Sequence, residues 1–247
     1  MKLPTISVCL SLVFVTFGAK LPSSFIKCNI KQKDFQQCLT KAVEHAIKQM
    51  NRPFKEVSLL SLEPLELPAM IIDAGSQIVH AQQSFKNLKF SGFNETTCSK
   101  VEFDVNAKTL KLDCLVPHFR FVFDYSVNGR LFLFSFYGKG PGWVIFQDNR
   151  IEIMFTLGQY EKNGRQYYNV IKQQLTTSPR AIDFEFENLF DGDQESAGRF
   201  NKILKENVLE VYEDVKSGYD EAFGRMFAFV FDRFLTRVPV VYLFGEQ

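Results

Sequence analysis

Apolar residues recur along the chain with two different periods, and the places where the period changes divide it into three stretches. In the first, Phe35, Cys38-Leu39, Ala42-Val43, Ala46-Ile47 and Met50 follow one another every three or four positions, the spacing of one helix face. Asp34 with Gln37 three residues on suggests a capping-box start, and Asn51-Arg52-Pro53 supplies the stop. From about Ser76 to Phe190 the period is two. Val101/Phe103/Val105, Leu110/Leu112, Phe119/Phe121/Phe123/Tyr125 and Ile151/Ile153/Phe155/Leu157 alternate with polar residues, as antiparallel strands with one buried face do. Asn106-Ala107, Asn128-Gly129 and Asn163-Gly164 fall between such runs and read as hairpin turns. Leu131 to Phe136 is apolar on both faces, which predicts a central strand or one covered on both sides.

The third stretch returns to helical spacing. Phe200, Ile203-Leu204, Val208, Val211-Tyr212, Val215, Tyr219, Phe223, Met226-Phe227, Val230-Phe231, Phe234-Leu235 and Val238 predict one long helix, with Gly218 and Gly224 as points where it can bend. Asp193 and Glu195 at its front and Arg233 and Arg237 at its back suit the helix dipole, and Pro239 ends it. Unbroken, about 40 residues would span roughly 60 Å. A long amphipathic helix and a series of half-apolar strands must bury their apolar sides against each other. The expected class is α+β, a strongly curved antiparallel sheet wrapped around the C-terminal helix. With 27 Phe against one Trp, the interior is either a solid aromatic core or an apolar tunnel.

Ahead of these elements, Lys2 and the apolar run Val8 to Val15 lead to small residues at Thr16, Gly18 and Ala19, the order of features in a secretory leader. The run is shorter than the ~20 residues that span a bilayer. Residues 1–18 are therefore expected to be a signal peptide, and 19–247 one ligand-binding domain, since no linker divides them. Of five cysteines, Cys9 leaves with the leader, and four in an oxidising compartment favour two disulfides. Cys98 and Cys114 stand almost equally far from the Asn106-Ala107 turn, so the two strands bring them face to face; Cys28 and Cys38 are near neighbours in sequence. The expected bridges are Cys28–Cys38 and Cys98–Cys114, the second worth about 3 kcal/mol for a loop of about 15 residues. Asn94-Glu95-Thr96 is a sequon, making Asn94 a candidate glycan site. The formal charge of +1 carries no basic excess of the kind nucleic acid or acidic lipid attracts.

Catalytic signatures are missing. There is no G-x-S-x-G, H-E-x-x-H or C-x-x-C, and His45, His80 and His118 stand in unrelated contexts. Gly138-x-Gly140-x-Gly142 lacks the Lys-Ser/Thr of a phosphate loop and leads into an extended run, so it reads as a bulged strand or turn. No catalytic residue, metal ligand or cofactor is assigned.

Several short motifs resemble those of the insect juvenile-hormone-binding/takeout family, and they follow in that family's order. They are Leu21-Pro22-Ser23-Ser24-Phe25 followed by Cys28 and Asp34-Phe35-Gln36-Gln37-Cys38-Leu39; Leu62-Glu63-Pro64-Leu65, with Glu63 in place of the usual Asp; Tyr125 to Leu131; Gly138-Lys139-Gly140; and Asn188-Leu189-Phe190-Asp191-Gly192-Asp193. The chain departs from the family at Asn51-Arg52-Pro53, where a glycine is common, and at Ser135, where many members have Pro. The resemblance implies the wrapped-helix fold, related to lipid-binding tubular domains, and a Cys28–Cys38 bridge. It implies a secreted carrier, not an enzyme, with an elongated cavity for juvenile hormone, another terpenoid, a fatty acid or a similar lipid. The expected partner is thus a hydrophobic small molecule bound by a monomer, with no nucleic acid and no stable membrane insertion. An interaction module with a self-filled core and a lipid-modifying enzyme are the alternatives.

The expected lining consists of Phe121, Phe123, Phe132, Phe134, Phe136, Ile153 and Phe155 from the sheet, and Phe223, Phe227, Val230 and Phe231 from the long helix. The even face of residues 132–136 is chosen on the assumption that Gly138 and Gly140 continue its register. The first helix, short and tethered by Cys28–Cys38, is expected to be a gate, with Met50 as an adaptable contact at its end.

Overall fold

The computed structural model describes residues 18–75 and 79–244; the expected leader lies outside the described residues apart from Gly18. Seven strands form one open antiparallel sheet. In chain order they are β1 (Leu65–Gly75), β2 (Val79–Ser91), β3 (Thr97–Asp104), β4 (Thr109–Leu131), β5 (Phe134–Lys162), β6 (Arg165–Ser178) and β7 (Ala181–Phe186). The helices are α1 (Phe35–Gln49), α2 (Gln194–Glu206), α3 (Val208–Leu235) and the short α4 (Val240–Leu243).

The hairpin of β4 and β5 is the spine. Its register runs without a shift from Thr109↔Thr156 to Leu131↔Phe134, and 23 residues of β4 reach up to roughly 75 Å at about 3.3 Å per residue. The other strands attach to the spine in two sets. Toward the hairpin tip, β2 pairs with β4 and carries β1 outside it, while β7 pairs with β5. Toward the other end, β3 pairs with β4 and β6 with β5. Where the two sets meet, the inward face changes phase in both spine strands at once. In β4 the buried positions run Leu110, Cys114, Val116 and then Phe119, Phe121, Phe123, Tyr125; in β5 they run Val144, Phe146 and then Asn149, Ile151, Ile153, Phe155. Pro117, which has no N–H to give, and Asp148, in the left-handed region at φ 46°, mark the step. A paired kink of this kind bends one sheet into a trough with two halves.

The trough holds α3, with Tyr212, Val215, Phe223, Met226 and Val230 buried against it. Two sets of side chains pin helices to the strands' backbone. From α3, Asp214 accepts from the Val79 N–H (2.9 Å), Asp220 from Thr177 N–H (3.0 Å) and Asp232 from Val170 N–H (2.8 Å). From α1, Gln36 accepts from Phe103 N–H (2.9 Å) and donates to its carbonyl (3.1 Å), while Thr40 accepts from Val101 N–H and Glu44 from Cys98 N–H, each at 2.9 Å. Spaced four apart, these three residues form one helical stripe laid along the free edge of β3.

Both expected disulfides, Cys28–Cys38 and Cys98–Cys114, are formed. The Asn163-Gly164 turn is present between β5 and β6, and Asp104 closes the β3–β4 turn by accepting from Asn106 and Ala107 N–H. Five expectations need correction. The sheet begins at Leu65, ahead of the clear alternation. Asn128-Gly129 is strand, paired with Gln82 and Ala81, and its glycine serves close packing. A Cβ at Gly129 would lie 2.6 Å from the His80 carbonyl oxygen and 2.7 Å from Ala81 Cβ. The turn falls instead at Phe132-Leu133, with Phe132 at φ 53°, so Leu131–Phe136 is a hairpin tip and no central strand. Asp34 makes no side-chain cap. The C-terminal helix is two helices, because Asn207 (φ −125°) turns its amide back onto the Ile203 carbonyl at 2.7 Å, a side-chain substitute for the helical bond. Asp193 caps the first of them, accepting from the Ser196 hydroxyl and from the Ser196 and Glu195 N–H groups, which hold its carboxyl below the usual aspartate range.

Gly129→Val is therefore expected to lower unfolding stability in urea by about 2 kcal/mol, the cost of overpacking, while Asn128→Val stays within about 0.5 kcal/mol. A large loss from Asn128→Val, as for a turn residue held at positive φ, would contradict the strand assignment.

Candidate functional site: a divided apolar interior

The trough is not filled. Among the described residues, cavities of about 300 Å³ and about 120 Å³ lie along it. The larger is walled by Ile151, Ile153 and Phe155 of β5, by Phe227, Val230 and Phe231 of α3, and by Phe244 beyond α4. Its roof is α1, which presents Leu39, Ala42, Val43, Ala46, Ile47 and Met50. Every described residue on this lining is uncharged. The volume stands at the lower end of the ~300–1,000 Å³ of small-molecule sites. The smaller cavity lies toward the hairpin tip, between Phe121, Phe136 and Val144 of the sheet and Phe200, Tyr212 and Tyr219 of the helices.

An aromatic septum separates the two. Phe223, at the middle of α3, meets Phe119 (5.4 Å between ring centroids), Phe121 (5.7 Å), Phe90 (5.9 Å) and Phe146 (6.3 Å). All four contacts are edge-on, which adds to the burial each ring already gains. The septum stands where the sheet kinks, since Phe119 and Phe146 are the buried residues on the tip side of the step.

The sequence-derived candidates spread over this interior unevenly. Ile153, Phe155, Phe227, Val230 and Phe231 line the larger cavity, and Phe121 and Phe136 the smaller. Phe223 is septum. Phe123 is buried beside the smaller cavity against Phe85 and Phe186, outside its lining. Phe132 is half-buried in the tip turn, and Phe134 is 58 % exposed there; neither touches a cavity. The assumed register is kept from Phe136 onward and stops at the turn. The expected lining omits the residues of the roof, although the first helix is expected to be a gate with Met50 at its end. Their signal was present in the stripe of Leu39, Val43, Ile47 and Met50, but nothing in the periodicity said what the stripe faced.

Interior polar groups are mostly engaged by the protein. The Tyr125 hydroxyl donates to the Glu187 carbonyl at 2.6 Å, and burial, with the Glu187 charge, pushes its pKa up to about 12. Tyr219 donates to Gln83 at 2.7 Å, and Tyr212 shares a short hydrogen bond with the Thr177 hydroxyl; burial raises both phenols. Burial also raises Asp220, against the lowering effect of its two bonds from Thr177. The bonds of Tyr212, Tyr219 and Asp220 fasten α3 to the sheet, while that of Tyr125 ties β4 to the segment after β7. Gly138-x-Gly140-x-Gly142 is regular strand, and at Gly140 a Cβ would lie 2.7 Å from the Glu187 carbonyl oxygen. The motif makes room for a crossing segment, and no phosphate cradle or bulge forms.

Comparison with known proteins agrees with this architecture. The family described as haemolymph juvenile hormone binding protein (JHBP) matches residues 6–245. The circadian clock-controlled protein daywake of Drosophila yakuba is 22% identical over 235 residues, 88% of this chain and 86% of that protein. The crystal structure of Epiphyas postvittana Takeout 1 superposes with a TM-score of 0.75 at 20% identity, covering 89% of this chain and 99% of that one. A lipopolysaccharide binding protein aligns at a TM-score of 0.35 and 11% identity, over 78% of this chain and 38% of its own, a likeness too weak to bear on function.

Phe223→Ala is expected to open the septum. Stability in urea should fall by about 3–5 kcal/mol, and longer alkyl chains should bind relative to short ones. An unchanged stability, or an unchanged chain-length preference in the folded variant, would mean that Phe223 does not divide the interior.

Proposed function

This chain belongs to the haemolymph juvenile hormone binding protein family, and from that premise we propose that it is a secreted carrier of one hydrophobic small molecule. The larger cavity carries this reading: an uncharged, apolar-walled space of about 300 Å³ beneath a short amphipathic helix. A self-filled core would have no such space. The candidate ligands are juvenile hormone, another terpenoid, a fatty acid or a similar lipid. Ile153, Phe155, Phe227, Val230 and Phe231 are the contacts proposed for it, with Phe121 and Phe136 serving the smaller cavity. No catalytic residue, metal or cofactor is part of the proposal.

Magnitudes support it. A ligand burying about 400 Å² of apolar surface gains about 10 kcal/mol at about 25 cal/mol/Å². At least about 4 kcal/mol of this is lost with its free motion. The remaining ~6 kcal/mol corresponds to tens of micromolar, before any hydrogen bond.

Secretion accords with the two disulfides and with the leader expected at residues 1–18. Asn94 is exposed, as a glycan site requires. No described helix is long and apolar enough to cross a membrane, and the carrier is proposed to act as a soluble monomer. The ligand is proposed to pass beneath α1. That helix is held along one side by the Gln36, Thr40 and Glu44 bonds to β3 and at its start by Cys28–Cys38, so it can lift on its apolar side while remaining attached.

Native mass spectrometry of protein purified from its source organism is expected to show one co-purified lipid of small mass, released on unfolding. A spectrum of the bare chain alone, together with no uptake of added terpenoids or fatty acids, would overturn the carrier reading.

A further inference from the structure

Two enclosed side chains depart from the rule that buried polar atoms find partners. Thr96 is 2 % exposed and Asn149 is 0 % exposed. The hydroxyl of the first and both amide atoms of the second have no hydrogen-bond partner among the described residues. The sheet register sets them close together. Thr97 pairs with Leu115, so Thr96, one residue ahead of β3, falls opposite Val116, and Val116 pairs with Asn149. Thr96, Val116 and Asn149 thus lie side by side on the concave face, across two strand spacings of about 10 Å in all. Thr96 and Val116 line the larger cavity. Asn149 flanks Val116 on the other side, between Phe146 of the septum and Ile151 of the cavity wall. The kink at Asp148 is what turns it inward: with unbroken alternation from Phe146, position 149 would face out.

An unpaired amide and hydroxyl in an apolar wall cost the empty protein more than a made hydrogen bond returns, and isosteric Leu and Val would have filled the same space. We propose that Thr96, on the lining, and Asn149, beside it across Val116, form the polar end of the larger cavity, an anchor where a neutral oxygen of the ligand is seated. The inference rests on the carrier reading and deepens it. The hydroxyl can donate or accept, and the amide does both, which suits an alcohol, ester, ketone or epoxide oxygen. An ionised carboxylate does not suit the site, since it would give up its hydration with no cation on the lining to replace it. The ligand is therefore oriented, its oxygenated end against the septum and its hydrocarbon running toward α1 and α4. Specificity-determining residues of this kind leave no periodic trace in a sequence, since both stand where the strand pattern is interrupted.

The test is displacement of N-phenyl-1-naphthylamine from delipidated protein by dodecane, 1-dodecanol and dodecanoate. Unglycosylated protein is used throughout, because Thr96 also completes the Asn94 sequon. The wild type is expected to bind 1-dodecanol about tenfold more tightly than dodecane, the factor equivalent to about 1.4 kcal/mol, and more tightly than dodecanoate at neutral pH. Thr96→Val and Asn149→Leu should each bring the alcohol-to-alkane ratio toward one while dodecane affinity stays within about twofold, and neither should lower the thermal midpoint of the empty protein. Discrimination that survives in both variants, as it would if enclosed water satisfied these groups, overturns the anchor. So does a parallel loss of dodecane binding, which marks a purely structural role. If Asn149→Leu fails to fold, Thr96→Val decides alone. Binding of all three ligands without discrimination by the wild type overturns the anchor and leaves the carrier; no binding of any overturns the carrier reading itself.

Discussion

Hydrogen bonds from helix side chains to strand backbone are the constraint on which this structure depends. An open sheet leaves unpaired N–H groups along its edges, and these must be satisfied or exposed. Here Gln36, Thr40 and Glu44 of α1 close the edge of β3, and Asp214, Asp220 and Asp232 of α3 take N–H groups of β2 and β6. Because polar bonds at the rim hold the helices in place, the apolar faces they turn inward need not meet. The space left between them is the cavity. A core closed by apolar packing alone would collapse onto such a void, since empty apolar volume is costly.

The kink in the spine strands then decides how the space is divided. Pro117 and Asp148 shift the inward phase of β4 and β5 together, so the trough has two halves that meet at a crowd of phenylalanine rings around Phe223. The same step turns Asn149 inward beside Val116. One local irregularity therefore sets the position of the septum, the length of the larger cavity and the placement of a buried amide.

Much of the fold was legible in the sequence, because period two and period 3.6 report which face of an element is buried. Phe119 to Tyr125, Ile151 to Leu157 and the helical stripes of both ends read directly. What the pattern could not report was where a side chain's purpose lay outside its own strand. Asn128-Gly129 carries turn chemistry, but Gly129 answers to the crowding of Ala81 on the next strand. Phe132-Leu133 carries none and nevertheless turns the hairpin, since the lengths of β4 and β5 and their partners fix the tip. Asn207 breaks the long helix through a side-chain bond that helical periodicity does not see. For the cavity, the candidate residues inside uninterrupted alternation, such as Ile153 and Phe155, lie on its wall, whereas Phe134, placed by extending a register through an unrecognised turn, stands in solvent. Thr96 and Asn149 escaped notice for the complementary reason: polar residues near turns and kinks look like surface.

A ligand seated beneath α1 must stiffen that helix more than it stiffens the rest of the fold, because α1 is the roof and is fastened along only one side. Hydrogen exchange of the delipidated protein with and without bound ligand measures this directly. Amides from Phe35 to Met50 are expected to gain more protection than those from Val211 to Phe227, which are already anchored to the sheet. Equal gains in the two helices, or no gain in α1, would contradict a cavity that opens and closes beneath it.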